Sequence, residues 1–259
     1  MMDETTPLCE ECGYDLTGLV PEGACPECGR PVARSLPDSR PGSPWQFSPG
    51  SVSWLRTNLA VLRAPAELFA SVRIDPRGGA SLLVLNVLLA ALLLAAPWTG
   101  TLIGDPIRGG RGGGPMRELL TFGWVFPAQV LGIAAFLVLL TMIEFAGIRF
   151  IAARRKWRLT RAGAWQVCCH ASVGWIILGV APLAGLALVY TLGVLLRVPL
   201  GRTFTIPATP GWRTSLGTVM GISLPIAGLV IGLLVYELLV HIGVRKCRYA
   251  ATLRVATKG

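Results

Sequence analysis

The chain has 259 residues, of which 53% are apolar and only 15% are charged, and its mean hydropathy is +0.59. Because a soluble domain carries about a quarter charged residues, this composition argues against a soluble enzyme, and the long apolar runs exclude disordered and collagen-like chains. The formal charge of +10 divides into −6 on residues 1–38 and +16 on the remainder. We expect the Lys and Arg residues of the loops between membrane spans to contact anionic lipid headgroups, and we expect no nucleic-acid partner.

The N-terminal thirty residues carry a compact cysteine pattern. Two C-x2-C pairs are separated by twelve residues, and Gly13 and Gly29 follow the second cysteine of each pair. Each pair can hold one ion from a tight turn, and the two pairs together complete a tetrahedron. The sequence therefore predicts a small knuckle at 1–30, of the zinc-ribbon or rubredoxin type, with four metal ligands: Cys9, Cys12, Cys25 and Cys28.

The spacing suits both zinc and iron, so the sequence leaves the metal open between these two. Two disulfides, with no metal, are a further alternative. We favour Zn²⁺, since no second redox motif accompanies the pairs. Four protein thiolates leave no open coordination position, which indicates a structural site and not an enzyme. Zinc with four thiolates adds about −2 to an already acidic segment, so a protein partner, or the basic loops of the same chain, is the expected contact.

Two segments connect the knuckle to the first apolar run. Residues 31–50 contain five prolines, four serines and two glycines, a composition that predicts a semi-extended linker. Residues 51–79 are predicted to form an amphipathic helix lying on the bilayer, bent or divided at Pro65. Its apolar positions recur at helical spacing: Trp54, Leu55, Leu59, Leu62, Leu68, Phe69 and Val72.

Residues 80–244 are predicted to be an all-α polytopic membrane bundle. The uncharged run at 162–196 would be about 52 Å long as one helix, whereas about 30 Å suffices to cross a bilayer. A turn at Pro182–Gly185 would divide it, so we expect five spans, with four as the alternative. The predicted spans lie near 80–98, 119–143, 162–181, 183–200 and 215–243, followed by a basic tail at 245–259.

Counting Lys and Arg favours fewer crossings. With the N-terminus in the cytoplasm, as its lack of a secretory signal leads us to expect, five spans place 13 basic residues inside and eight outside. Four spans place 15 inside and six outside. The length of the third apolar run therefore conflicts with the positive-inside pattern.

Ionisable residues inside apolar runs are candidates for a transport path. Glu237 and His241 are four residues apart and share one helix face, and His170 lies in the third run. The glycine-rich stretch at 109–114 lacks the Lys-Ser/Thr ending of a phosphate loop and is predicted to be a flexible loop.

Two parts of the chain resemble known families. Residues 12–19 (Cys-Gly-Tyr-Asp-Leu-Thr-Gly-Leu) and 25–29 (Cys-Pro-Glu-Cys-Gly) resemble a zinc ribbon that recurs at the N-terminus of uncharacterised bacterial membrane proteins. Residues 65–244 are similar in layout to the Yip family, through Arg63-Ala-Pro-Ala-Glu-Leu-Phe69, Gln166 and Ala181-Pro-Leu-Ala-Gly185. The resemblance implies a five-helix domain in a bacterial inner membrane. Eukaryotic relatives act in vesicle trafficking and bind small GTPases, but no functional residues transfer.

Two functions follow from the sequence. The first is a non-enzymatic membrane scaffold whose zinc ribbon binds a protein partner, with no small-molecule substrate. The second is a small ion, proton or solute transporter that uses Glu237, His241 and His170.

Overall fold

The computed structural model describes residues 6–75, 79–109, 121–195 and 216–251. The regular elements within these ranges are helical, which confirms the all-α prediction. The glycine-rich stretch at 110–114, the end of the predicted fourth span at 196–200 and the tail at 252–259 lie outside them. The helices are α1 Pro44–Phe47, α2 Ser51–Arg63, α3 Pro65–Ser71, α4 Ala80–Gly109, α5 Phe126–Arg154, α6 Arg161–Ala171, α7 Val173–Leu195 and α8 Leu216–Cys247.

Among the described residues, three helical segments are long and apolar enough to cross a membrane: Gly123–Arg154, Arg161–Gly185 and Ile226–Cys247. A shorter apolar stretch, Ala80–Ala96, forms the first part of α4. Large apolar side chains are exposed along α5, including Leu131, Phe136, Leu139, Ile143 and Phe150. Exposed apolar surface on this scale is stable in lipid and unfavourable in water, as expected for an integral membrane protein.

The predicted turn at Pro182–Gly185 is wrong. Helix α7 continues through Pro182 as far as Leu195, and the interruption of the third apolar run lies earlier, at Ser172 between α6 and α7. A proline removes only one hydrogen bond from a helix, and neighbouring helices in a membrane can stabilise the resulting site. Helix α8 packs closely here, because a Cβ at Gly228 would lie 2.6 Å from the Pro182 nitrogen.

The prediction that residues 31–50 form a semi-extended linker is wrong, because this segment is folded. Short 3-10 turns at Val32–Ser35 and Pro37–Ser39 lead into α1. Ser43 and Gln46 form a reciprocal capping box around the start of α1, and Trp45 is buried. Pro37 and Pro44 each stand at the first position of a helical turn, where the fixed φ of proline suits the backbone and its missing N–H costs nothing.

The segment at 51–79 contains two helices, divided before Pro65 as predicted and ending at Ser71. Helix α2 buries two polar residues, Thr57 and Asn58, together with Val61. The opposite side of α2 exposes an apolar stripe at helical spacing: Val52, Leu55, Leu59 and Leu62.

The chain divides into two compact units. The first unit contains residues 1–85, 138–173 and 236–259, and the second contains 86–137 and 174–235. The cysteine knuckle, α1, α2 and α3 all belong to the first unit, together with the C-terminal end of α5, the whole of α6 and the C-terminal end of α8.

Candidate metal centre

The four cysteines of the two C-x2-C pairs come together as predicted. Their Sγ atoms all lie within 4.8 Å of one another, with Cys9 to Cys28 at 3.5 Å and Cys12 to Cys25 at 3.6 Å. A metal with four thiolates at about 2.3 Å in a tetrahedron requires Sγ–Sγ separations of about 3.8 Å. The arrangement therefore fits a single metal ion, and all seven cysteines of the chain, which lie in described ranges, are free thiols.

The two halves of the knuckle repeat each other at an offset of 16 residues. Gly13 N–H donates to Cys9 O, and Gly29 N–H donates to Cys25 O in the same way. Both glycines have positive φ, +82° and +73°, which a residue without Cβ adopts at little cost. Isolated bridges close the two halves at equivalent positions, Leu8 with Asp15 and Ala24 with Pro31.

A very small apolar core lies beneath the thiols. It consists of Leu16 and Val32, which occupy equivalent positions in the two halves, together with Cys9 and Cys25. So few side chains cannot offset the conformational entropy of ordering the segment, so a bound metal would supply most of its folding free energy.

Backbone amides favour the thiolate form of Cys9. Burial raises the pKa of Cys9, but hydrogen bonds from the amides of Cys12 and Glu11 outweigh that effect and lower the pKa to about 7. Burial raises the pKa of Cys12 well above its ordinary value. The asymmetry reflects thiols that share one site, where the first negative charge disfavours the next until a cation is bound.

Arg40, in the segment predicted to be a linker, joins the knuckle to the helices. Its side chain is 2% exposed, and its Nε donates to Glu10 Oε1 at 2.7 Å. Its terminal nitrogens donate to the carbonyls of Phe69 and Val72 at the end of α3, and to that of Lys246 at the end of α8. One guanidinium thus binds the metal-site loop and two helix termini together.

Further contacts join the knuckle to the C-terminal residues. Arg248 donates to the carbonyl of Glu11 at 2.8 Å. Arg158, between α5 and α6, donates to the carbonyls of Thr6 and Tyr249. A Cβ added at Gly13 would lie only 2.9 Å from Tyr249 Cζ. The knuckle is therefore packed on the membrane helices and does not move on a separate tether, contrary to the expectation from composition.

His170, one of the predicted transport residues, is fully buried in the first unit. Its Nδ1 lies 2.9 Å from the carbonyl of Gln166, and its Nε2 lies 3.0 Å from Ser43 Oγ. Because a carbonyl only accepts, Nδ1 donates to Gln166, and Nε2 forms the second hydrogen bond with the Ser43 hydroxyl. His170 thus connects α6 to the segment before α1 with both nitrogens occupied.

Glu237 and His241, the other predicted transport residues, lie on exposed positions of α8, one turn apart. Each belongs to the first unit, like His170. No hydrogen bond in the described part of the chain joins either of them to His170.

Comparison with known proteins identifies no relative, since no family model, curated protein or solved structure matches this chain. The Yip-like layout accordingly has no support from a family match and stays a hypothesis.

Proposed function

We propose that the protein is an integral membrane scaffold whose zinc-bound knuckle, packed against helix ends at the cytoplasmic surface, presents a docking surface to a protein partner. The observation that carries this proposal is the combination of a four-thiolate cluster with the Arg40 network. The cluster leaves no coordination position for a substrate, and the network fixes the knuckle at one end of the helices.

Zinc is the metal we propose for the cluster. The four Sγ positions suit a closed tetrahedral ion, and zinc requires no redox partner to act as a structural element. Elemental analysis of the purified full-length protein should give one zinc per chain. A red protein with a visible iron–thiolate absorption band would assign iron instead.

Four crossings, and not five, are supported by the contacts of the first unit. Glu11 of the knuckle contacts Arg248, which follows α8, and Arg40 contacts Lys246 in the last turn of α8. Arg158, between α5 and α6, bonds both to Thr6 and to Tyr249. An odd number of crossings would put the N- and C-terminal segments on opposite sides of the membrane. Crossings by α4, α5, the α6–α7 run and α8 bring all these points to one side and give the stronger positive-inside distribution.

The exposed stripe on α2 supports a second contact with the membrane. Val52, Leu55, Leu59 and Leu62 form one exposed apolar face on a helix that buries Thr57, Asn58 and Val61 on its other side. We therefore place α2 in the plane of the cytoplasmic bilayer surface, where its apolar side can leave water.

Exposed apolar residues on the knuckle supply the proposed partner surface. Val20 is 63% exposed and Leu19 is 37% exposed, both in the segment between the two cysteine pairs. Neighbouring Asp15, Glu22 and Glu27 make this surface acidic, so the expected partner offers an apolar patch bordered by basic residues. Nucleic acid would be repelled by the same charges.

The test is proximity labelling in the native host with Leu19→Ser/Val20→Ser and a matched control, Val52→Ser/Leu55→Ser, on the lipid-facing side of α2. The knuckle variant should lose its specific neighbours while retaining metal content and membrane insertion, and the control should retain them. Unchanged labelling in the knuckle variant would contradict the scaffold. Loss of proteoliposome ion flux in Glu237→Gln/His241→Ala, with labelling intact, would favour the transporter.

A further inference from the structure

A cavity of about 350 Å³ lies beside the metal centre, entirely within the first unit. Its wall is formed on one side by the knuckle and on the other by the end of α8 and the residues after it. The volume is within the range of small-ligand sites. Four basic side chains line it: Arg30, Arg245, Lys246 and Arg248.

The two acidic residues of the wall are already paired. Glu10 binds Arg40 at 2.7 Å and lies 3.6 Å from Arg30, and Glu11 lies 3.4 Å from Arg30. The charges of Arg245, Lys246 and Arg248 consequently have no carboxylate partner among the residues that line the cavity. The cavity therefore carries excess positive charge in a partly enclosed space, where an anion is attracted more strongly than at an open surface.

Basic side chains reach the cavity from both sides, Arg30 from the knuckle and Arg245, Lys246 and Arg248 from the end of α8 and the residues after it. An anion in the cavity, with several acceptor oxygens, would interact with basic groups from both sides of the wall.

We propose that this cavity binds a phosphate group, and specifically the headgroup of an anionic phospholipid. The position of the cavity favours the lipid as the source, because Arg245 and Lys246 lie in the last turn of a helix long enough to cross the membrane. That turn should lie at the level of the headgroups, where basic pockets between helices bind anionic lipids. The site is independent of any protein partner of the knuckle.

The metal centre and the cavity should be coupled. Arg30 lies two residues after Cys28, and Glu10 directly follows Cys9. Metal loss would free both segments and so remove one side of the cavity.

The test uses the full-length protein with metal bound, in a neutral detergent, titrated calorimetrically with three soluble probes. The probes are dihexanoyl phosphatidylglycerol, dihexanoyl phosphatidylcholine and inorganic phosphate. Phosphatidylglycerol should bind, and phosphatidylcholine should bind at least tenfold more weakly. Arg245→Gln/Arg248→Gln should weaken phosphatidylglycerol binding about tenfold or more, because charge-assisted hydrogen bonds to phosphate are lost.

The matched control is Arg34→Gln, an exposed knuckle residue outside the cavity, which should change affinity less than twofold. If Arg245→Gln/Arg248→Gln loses its metal, the variant Arg245→Gln/Lys246→Gln is used in its place, because both of its positions are exposed. Equal binding of inorganic phosphate and phosphatidylglycerol would keep the anion site and overturn its assignment to lipid. Failure of all three probes to bind, or equal affinities in the cavity variants and Arg34→Gln, would overturn the proposal.

Discussion

Replacement of Glu10 by glutamine should destabilise the first unit, because it leaves the Arg40 guanidinium buried without a carboxylate. Arg40 is 2% exposed and Glu10 is 8% exposed, so solvent does little to screen the pair. Breaking a buried pair by removing one partner costs about 3–5 kcal/mol. Arg40 retains three carbonyl acceptors, so we expect a value at the low end, about 3 kcal/mol.

The neighbouring glutamate provides the control. Glu11 is 63% exposed and lies 3.4 Å from Arg30, so Glu11→Gln should cost at most about 0.5 kcal/mol, as exposed pairs do. By thermal unfolding in detergent, Glu10→Gln should lower Tm by about 6–12 °C and Glu11→Gln by about 1–2 °C. A combined Glu10→Leu/Arg40→Met variant should recover part of the loss, since no buried charge then remains unpaired. Equal effects of the two glutamine variants would refute the role assigned to Arg40.

Three further predictions concern the glycines and the metal. Gly13→Ala should lower the free energy of unfolding by about 1 kcal/mol more than Gly29→Ala does, because both variants place alanine at a positive φ but only Gly13→Ala adds a clash with Tyr249. Chemical denaturation measures the difference, and equal losses would contradict the contact with Tyr249. Gly232→Ala should cost about 1–3 kcal/mol, because its Cβ would overlap the backbone of Leu178 in α7. Gly147→Ala meets nothing within 4 Å and should be neutral or slightly stabilising in the same assay. The zinc content, measured by mass spectrometry, should fall as the pH is lowered, because protons compete with zinc for the thiolates. Zinc retained by a variant with all four cysteines replaced by serine would contradict the site.

The cysteine pattern and the helical class were predictable because both are local properties. Two C-x2-C pairs with a glycine after each specify the turns that aim the thiols inward, and long apolar runs specify helices in lipid. The division of 51–79 before Pro65 was predictable for the same reason, since the proline ring itself ends the preceding helix.

The fold of residues 31–50 could not be predicted from composition alone. Its prolines and serines are typical of linkers, but the order Ser43-Pro-Trp-Gln46 is a capping signature, and Trp45 is a core residue. The role of Arg40 depends on Glu10 and on carbonyls at Phe69, Val72 and Lys246, which only the tertiary structure brings together.

The error at Pro182 has a related cause. An uncharged run that is too long for one straight crossing can be interrupted at a position other than its proline. In the structure, the run is interrupted at Ser172, and Gly228 and Gly232 of α8 allow close packing against a continuous α7. Glycines in one helix thus determine the path of another, which no local pattern in 162–196 records.

The central claim, that the metal knuckle and the C-terminal residues lie together on the cytoplasmic side of a four-span protein, is tested most directly by reporter fusions after Gly259. Green fluorescent protein at this position should fluoresce, and alkaline phosphatase should be inactive, because both would stay in the cytoplasm. An active phosphatase with a dark fluorescent-protein fusion would place the C-terminus outside and contradict the contacts of Arg40 with Lys246 and of Glu11 with Arg248.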